Sequence, residues 1–258
     1  MRTLVVVPTY LEVENIAEAL TRVREAAPDV DILVVDDNSP DGTGALAEKT
    51  AAELGRIDVL HRPLKTGLGA AYRDGFALGI ERGYEILVQM DADLSHDAAS
   101  LPDLLAQAYE GADLAIGSRY VSGGQIPHWP WHRRALSRFG NRYAGFMLSC
   151  GVRDMTSGFR AYRVPTLLAV EYAGTRSMGY GFQIELAYRV SQWGGHIVET
   201  PITFSDRVRG HSKMSLSVAF EELWLVTWWS IRDRPWWGRR RRAARRQGTQ
   251  LPKNASTE

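Results

Sequence analysis

Two aspartates one residue apart, Asp91 and Asp93, end an apolar run over residues 86–90, with a hydroxyl close behind at Ser95. The run reads as a buried strand, and open α/β sheets gather ligands at the carboxyl ends of their strands. Two carboxylates and a hydroxyl form an oxygen-only donor set. Such a set suits a hard divalent cation that also holds phosphate oxygens, Mg²⁺ or Mn²⁺. A second acidic pair, Asp36-Asp37, follows another apolar run. An acidic residue there commonly accepts hydrogen bonds from a ribose or a base. The Asn38-Ser-Pro-Asp-Gly42 segment behind it is turn chemistry that would fix the pair in place. Glycines in Lys65-Thr-Gly67-Leu-Gly69, ahead of a helical stretch, either let backbone N–H groups approach an anion or form a plain helix-start turn. Tyr72 breaks the Gly-x-Gly-x-x-Gly spacing there, and no Gly-Lys-Ser/Thr occurs. Arg119, Arg207, Arg209 and Lys213 fall in loops expected to face the same crevice, where together they would clamp a pyrophosphate. No nucleophile triad is evident, the histidines lack metal spacing, and the single cysteine excludes a Cys-paired zinc site.

These loops need elements to position them. Apolar strands are expected at residues 4–7, 32–35, 57–60, 86–90 and 114–117. Amphipathic helices are expected between them at 13–26, 43–54, 69–81 and 101–109. This alternation predicts an α/β fold with a mainly parallel sheet and helices on both faces. Right-handed crossovers then bring the strand ends to one edge. Four adjacent strands would empty there into Pro8-Thr-Tyr-Leu-Glu12, the Asp36 loop, Asp91-Ala-Asp93 and Ser118-Arg-Tyr120. Farther on, helices are expected at 134–148, 181–193 and 214–231. Asp154-Met-Thr-Ser-Gly-Phe-Arg160 reads as a polar loop. A strand at 197–204, interrupted by Pro201, belongs at a sheet edge.

The chain of 258 residues, 45% hydrophobic and 24% charged, is globular in composition. Its lone Cys150 fits a reducing cytosol, and residues 1–10 are not a signal peptide. The net charge of +1 conceals an asymmetry: residues 232–246 hold eight arginines and one aspartate, so the rest of the chain is acidic. No stretch reaches the ~20 apolar residues that span a bilayer. Five of the eight tryptophans, however, lie at 224–237, just ahead of the arginines. That combination suits an interfacial helix with a basic tail on an anionic membrane surface. Two rival readings are a catalytically dead subunit and a nucleic-acid-binding module built on the tail. Intact Asp91, Asp93, Arg207 and Lys213 argue against the first. The acidic body and the lack of a reader motif argue against the second, so no nucleic-acid partner is expected.

Taken in order, Pro8-Thr-Tyr-Leu-Glu12, Asp36 to Thr43, Lys65 to Gly69, Asp91-Ala-Asp-Leu-Ser-His96, Gly117-Ser-Arg-Tyr120 and Arg207-Val-Arg-Gly-His-Ser-Lys213 resemble the dolichyl-phosphate mannosyltransferases, or polyprenol-phosphate mannose synthases. The Trp-Pro-Trp segment at 129–131, the Asp154 loop and the arginine-rich tail are most similar to the actinobacterial type. The resemblance covers residues 2–232. It implies a family 2 glycosyltransferase of the GT-A fold, inverting, moving mannose from GDP-mannose to polyprenyl phosphate. UDP-glucose or another nucleotide sugar is the alternative donor. It further implies GDP-mannose contacts at Pro8, Tyr10, Glu12, Val35, Asp37, Ala92, Arg119, Arg207 and Lys213, and Mg²⁺ or Mn²⁺ at Asp91 and Asp93 near Ser95. Catalysis would fall to Asp91, Asp93, Arg119, Arg207 and Lys213. Leu11 departs from the family pattern, which usually has asparagine there, and so does Asp97. The expected organisation is a catalytic domain at 1–213, an interfacial helix at 214–237 and a basic, disordered tail at 238–258. The expected location is the inner face of the cell membrane, peripherally bound, with an integral-membrane protein as a further candidate partner.

Overall fold

The computed structural model describes residues 1–177, 179, 181–205 and 216–233. The chain runs β1 (Thr3–Thr9), α1 (Ile16–Ala26), β2 (Asp31–Asp36), α2 (Thr43–Leu54), β3 (Ile57–His61), α3 (Leu68–Glu81), β4 (Ile86–Gln89), α4 (Leu101–Tyr109) and β5 (Leu114–Ser118). It continues through α5 (Trp131–Leu148), β6 (Arg160–Arg163), α6 (Val164–Ala169), α7 (Gly181–Trp193), β7 (Ile197–Pro201) and α8 (Leu216–Asp233). The strands form a 7-stranded sheet in the order β3-β2-β1-β4-β6-β5-β7.

Successive side chains of a strand point to opposite faces, so an apolar run buried on both sides feeds two cores. In β1, Leu4 and Val6 join α3, α5, α6, α7 and α8 on one face. Val5 and Val7 join α1, α2 and α4 on the other. Helix α3 sits unusually close to the sheet. A Cβ at Gly75 would stand 2.5 Å from Val6 Cγ1, and one at Gly79 would stand 2.6 Å from Leu87 Cδ2. Two side-chain-free positions one turn apart thus press α3 onto β1 and β4.

The sheet is mainly parallel, as expected, with one antiparallel strand at its centre. The polar-looking Arg160–Arg163 is a strand, β6, antiparallel to both β4 and β5. The four strands bearing the polar loops are therefore not all adjacent, because β6 separates β4 from β5. Its reversed direction has a consequence for the site: the segment before it, residues 154–159, enters the same edge as the carboxyl ends of β4 and β5. β7 lies at the sheet edge beside β5, as expected, and its ladder ends at Pro201. Beyond it, Thr203 and Phe204 make only single bridges, to Gln125 and His96.

Helix α5 leaves Trp131, Phe139 and Phe146 exposed along one stripe, with Arg138 and Arg142 on the same face. Helix α8 packs beside it through the Tyr143 and Thr227 hydroxyls, 2.7 Å apart, and exposes Trp224, Trp228 and Ile231 one turn from the next. Among the described residues, no helix is long and apolar enough to cross a membrane.

Candidate active site

Asp91 and Asp93 follow directly on β4, and the loop turns at Leu94 in the left-handed region, φ 61°. Asp93 is held locally: its Oδ1 accepts from the Ser95 N–H at 3.0 Å. Asp91 is held both by its own loop and by distant parts of the chain. The Tyr72 hydroxyl, from the first turns of α3, donates to Oδ1 at 3.2 Å. His96 Nε2 lies 3.4 Å from Oδ2. Gly158 closes the third side, since a Cβ there would stand 3.0 Å from Oδ2. Burial, reinforced by the Asp91 charge, pushes the Tyr72 phenol well above its ordinary value, so it remains a donor. Asp93 is buried, whereas the Asp91 side chain keeps 26% of its surface.

This donor set fits a phosphate-bridged divalent cation. The groups are hard oxygens, and the buried Ser95 Oγ has no partner among the described residues. Among the described residues, no group of three or more His, Cys, Asp or Glu side chains forms a closed cage. A cation at Asp91 and Asp93 would therefore complete its shell with phosphate oxygens and water, the usual habit of Mg²⁺.

The loops after β1 and β2 interlock. Asp36 fixes the turn, accepting from Thr9 Oγ1 at 3.2 Å, Ser39 N at 3.1 Å and Ser39 Oγ at 2.6 Å. Asp37 instead pairs with Arg62, a buried guanidinium just beyond β3 that also holds Asp74 at 2.8 Å. Burial raises the Asp37 carboxyl, with Arg62 opposing. Lys65 Nζ stands 3.8 Å over the Tyr10 ring. The Glu12 carboxylate accepts from Asn15 Nδ2 at 2.8 Å, while its carbonyl takes the N–H groups of Asn15 and Ile16 that open α1. Gly69 answers a packing need: a Cβ there would meet Ser177 O at 2.5 Å.

After β5, Arg119 forms a bidentate pair with Asp154, Nε to Oδ2 at 2.8 Å and Nη2 to Oδ1 at 2.7 Å. The Arg119 N–H adds a third bond at 2.9 Å, and Nη2 also reaches Thr156 Oγ1 at 2.7 Å. Asp154 is wholly buried. Burial alone would raise its carboxyl, but Arg119 prevails and holds it below the ordinary range. Glu199 of β7 caps this loop by accepting from the N–H groups of Arg153 and Asp154 at 2.8 and 2.9 Å. Beneath it, the fully buried Arg160 binds the carbonyls of Ser157 and Met155, each at 2.7 Å, and that of Gln183 at 2.5 Å. These bonds set the path of residues 155–159, and with it the position of Gly158 against Asp91.

Residues 4–168 match the model of glycosyl transferase family 2. The chain belongs to glycosyl transferase family 2. This family 2 glycosyltransferase is 51% identical over 234 residues to the polyprenol monophosphomannose synthase of Mycolicibacterium smegmatis, covering 90% of this chain and 88% of that one. It is 48% identical to the undecaprenyl-phosphate mannosyltransferase of Micrococcus luteus, covering 94% and 99%. Its fold is that of GT-A glycosyltransferases. Glucosyl-3-phosphoglycerate synthase from Mycobacterium tuberculosis, solved with Mn²⁺, UDP and glucosyl-3-phosphoglycerate, superposes with a TM-score of 0.63 at 20% identity, over 89% of this chain and 79% of the other. A mannosyltransferase from Pyrobaculum calidifontis, solved with GDP-Man and Mn²⁺, gives 0.58 at 16% identity, over 97% and 76%.

In this glycosyltransferase the sheet brings Asp91, Ala92, Asp93 and Ser95 into one loop, and it sets Pro8, near the end of β1, and the loops of Tyr10, Glu12 and Asp37 beside it. Val35 is different. It is fully buried within β2, its side chain lies in the core, and it offers no surface for direct contact. Ala92 is also buried. Arg119 reaches the crevice edge with its guanidinium engaged by Asp154. Arg207 and Lys213 lie outside the described residues. Arg62, Tyr72, His96, Asp154 and Gly158 were absent from the expected site. Arg62 carried one legible signal, a basic residue at the strand end next to that of Asp37.

Proposed function

We propose that this glycosyltransferase transfers mannose from GDP-mannose to polyprenyl phosphate with inversion, yielding a lipid-linked β-mannose. The observation that carries this reading is the near-half identity, over nine-tenths of the chain, to two proteins named for mannosyl transfer onto polyprenyl phosphates. The site supports it. Asp91 and Asp93 would hold Mg²⁺ or Mn²⁺, and a cation there would neutralise the diphosphate of the departing GDP. Arg207 and Lys213, six residues apart around Gly210, would add positive charge to the same pyrophosphate. Tyr10 and Lys65 would flank the nucleoside beside Asp37.

The acceptor needs little help. A phosphomonoester with a second pKa of roughly 6 is already anionic at neutral pH, so no dedicated general base is required. Its attack on C1 from the face opposite GDP would invert the anomeric centre through an oxocarbenium-like transition state. The crevice then contributes orientation and electrostatics.

A lipid acceptor calls for membrane contact. The exposed aromatic and arginine stripe of α5, with the exposed tryptophans of α8, supports peripheral binding to an anionic surface. The basic segment after α8 would add about 1 kcal/mol per arginine near such a surface. On this reading residues 1–213 are catalytic, 214–237 interfacial and 238–258 an electrostatic tail.

Donor competition tests the proposal. Labelled GDP-mannose is offered with polyprenyl phosphate against excess unlabelled GDP-mannose, UDP-glucose or UDP. Suppression by GDP-mannose alone supports it. Equal suppression by UDP-glucose would transfer the enzyme to another donor.

A further inference from the structure

We propose that Tyr72 and His96 are positioning residues that act together to set the orientation of the Asp91 carboxylate toward a divalent cation. The inference rests on the reading of Asp91 and Asp93 as the metal-holding pair. It adds two residues that neither the DxD spacing nor the comparisons assign.

The two aspartates are supported in different ways. Asp93 is oriented by its own loop, through the Ser95 N–H. Asp91 is contacted on each oxygen by a separate side chain: Tyr72 OH at Oδ1, 3.2 Å, and His96 Nε2 at Oδ2, 3.4 Å. Both are almost fully buried, at 0% and 3% exposure. Neither ring is free to turn. Tyr72 stacks on Phe182, centroids 5.9 Å and planes 3° apart, and tilts against Phe76 at 6.0 Å. His96 is held between Phe159 at 5.4 Å and Phe204 at 5.2 Å.

The Nε2–H tautomer of His96 satisfies this geometry. Nδ1, which has no partner among the described residues, is then a bare lone pair and not a stranded N–H. With the Tyr72 hydroxyl on one oxygen, the His96 ring nitrogen 3.4 Å from the other and the Gly158 backbone behind, the carboxylate is constrained in its plane. Groups that hydrogen-bond a ligating carboxylate commonly change metal affinity 10- to 100-fold when removed. A side chain kept only for packing would need neither the phenol oxygen nor the imidazole nitrogen.

The test measures Mn²⁺ affinity in the presence of GDP, by electron paramagnetic resonance of free Mn²⁺, for the full chain and its variants. Asp91→Asn serves as the control for the metal reading itself. Tyr72→Phe removes one oxygen and leaves the ring packing intact. His96→Phe removes the nitrogen and keeps an aromatic between Phe159 and Phe204. His96→Gln restores an N–H donor. Melting temperatures are recorded for each. The expected result is a roughly 10-fold weaker Mn²⁺ affinity for Tyr72→Phe and for His96→Phe, a larger loss in the double variant, and partial recovery in His96→Gln. Melting temperature should not track the affinity loss. Wild-type affinity in both Phe variants, with Asp91→Asn impaired, would overturn the proposal and leave the metal site standing. Failure of the wild type to bind Mn²⁺ would overturn both.

Discussion

Arg119 and Asp154 form a bidentate ion pair inside the protein, with the aspartate fully buried and the arginine 7% exposed. Removing one partner of a buried pair strands the other charge at a cost of about 3–5 kcal/mol. Asp154→Asn should therefore lower unfolding free energy by about that amount in urea titration at pH 7. The pair also predicts a pH dependence. Asp154 is depressed in the folded state, because Arg119 outweighs burial. Its stabilisation is complete above the unfolded carboxyl value, about 3.9, and is lost as pH falls through the lower folded value. Wild type should lose this increment below about pH 4, and Asp154→Asn should lose less over the same window. Parallel losses in both proteins would show that Asp154 does not titrate as the geometry requires.

Gly158 gives a steric test of the same crevice. Its added methyl would stand 3.0 Å from Asp91 Oδ2. Gly158→Ala should displace the carboxylate by a fraction of an ångström and reduce kcat/KM about 10-fold, since misplacement of 1 Å can cost ~10²-fold. Steady-state kinetics beside a melting curve would check this. Normal turnover in a fully folded variant would mean that Asp91 tolerates the shift.

Much of this architecture is readable in the sequence, and the failures have identifiable causes. β1 to β5 and α1 to α4 appear because continuous apolar runs alternate with 3.6-residue periodicity. β6 does not, because Arg160-Ala-Tyr-Arg163 opens on an arginine. That guanidinium is buried only because the carbonyls of Met155, Ser157 and Gln183 accept from it. Such a partner set exists only after folding. The acidic loop after β4 was legible from Asp91, Asp93 and Ser95 together with the other polar strand-end loops. What surrounds Asp91 was not: Tyr72, His96 and Gly158 meet it through the close docking of α3 and the reversed direction of β6. The aromatic role of Phe204 beside His96 was equally hidden.

Leu11 lies in the left-handed region at φ 59° and is 47% exposed. A non-glycine side chain there costs about 1–2 kcal/mol, and asparagine tolerates the conformation better than leucine. Leu11→Asn should raise stability by up to about 1 kcal/mol, visible as a higher urea midpoint with an unchanged slope. A midpoint at or below the wild-type value would show that Leu11 makes compensating contacts.

The exposed stripe of α5 predicts membrane binding that does not depend wholly on charge. Trp131→Ser, Phe139→Ser and Phe146→Ser together should weaken co-sedimentation with anionic vesicles even at high salt. Truncation after residue 237 should weaken it mainly at low salt, because surface attraction is screened within ~10 Å at 0.1 M. Turnover of a short, water-soluble polyprenyl phosphate should survive both changes. Unaltered vesicle binding in the α5 variant would exclude that face from the interface.

The central claim is that mannose moves onto a lipid phosphate at the Asp91–Asp93 site. Its most direct test incubates the purified chain with labelled GDP-mannose, Mg²⁺ and polyprenyl phosphate, then partitions the label between water and organic solvent. The predicted result is label in the organic phase, released by mild acid, absent with EDTA and reduced about 10²-fold or more in rate by Asp91→Asn or Asp93→Asn. Label that stays in water with the wild type, or an undiminished rate in Asp91→Asn or in chelator, would contradict it.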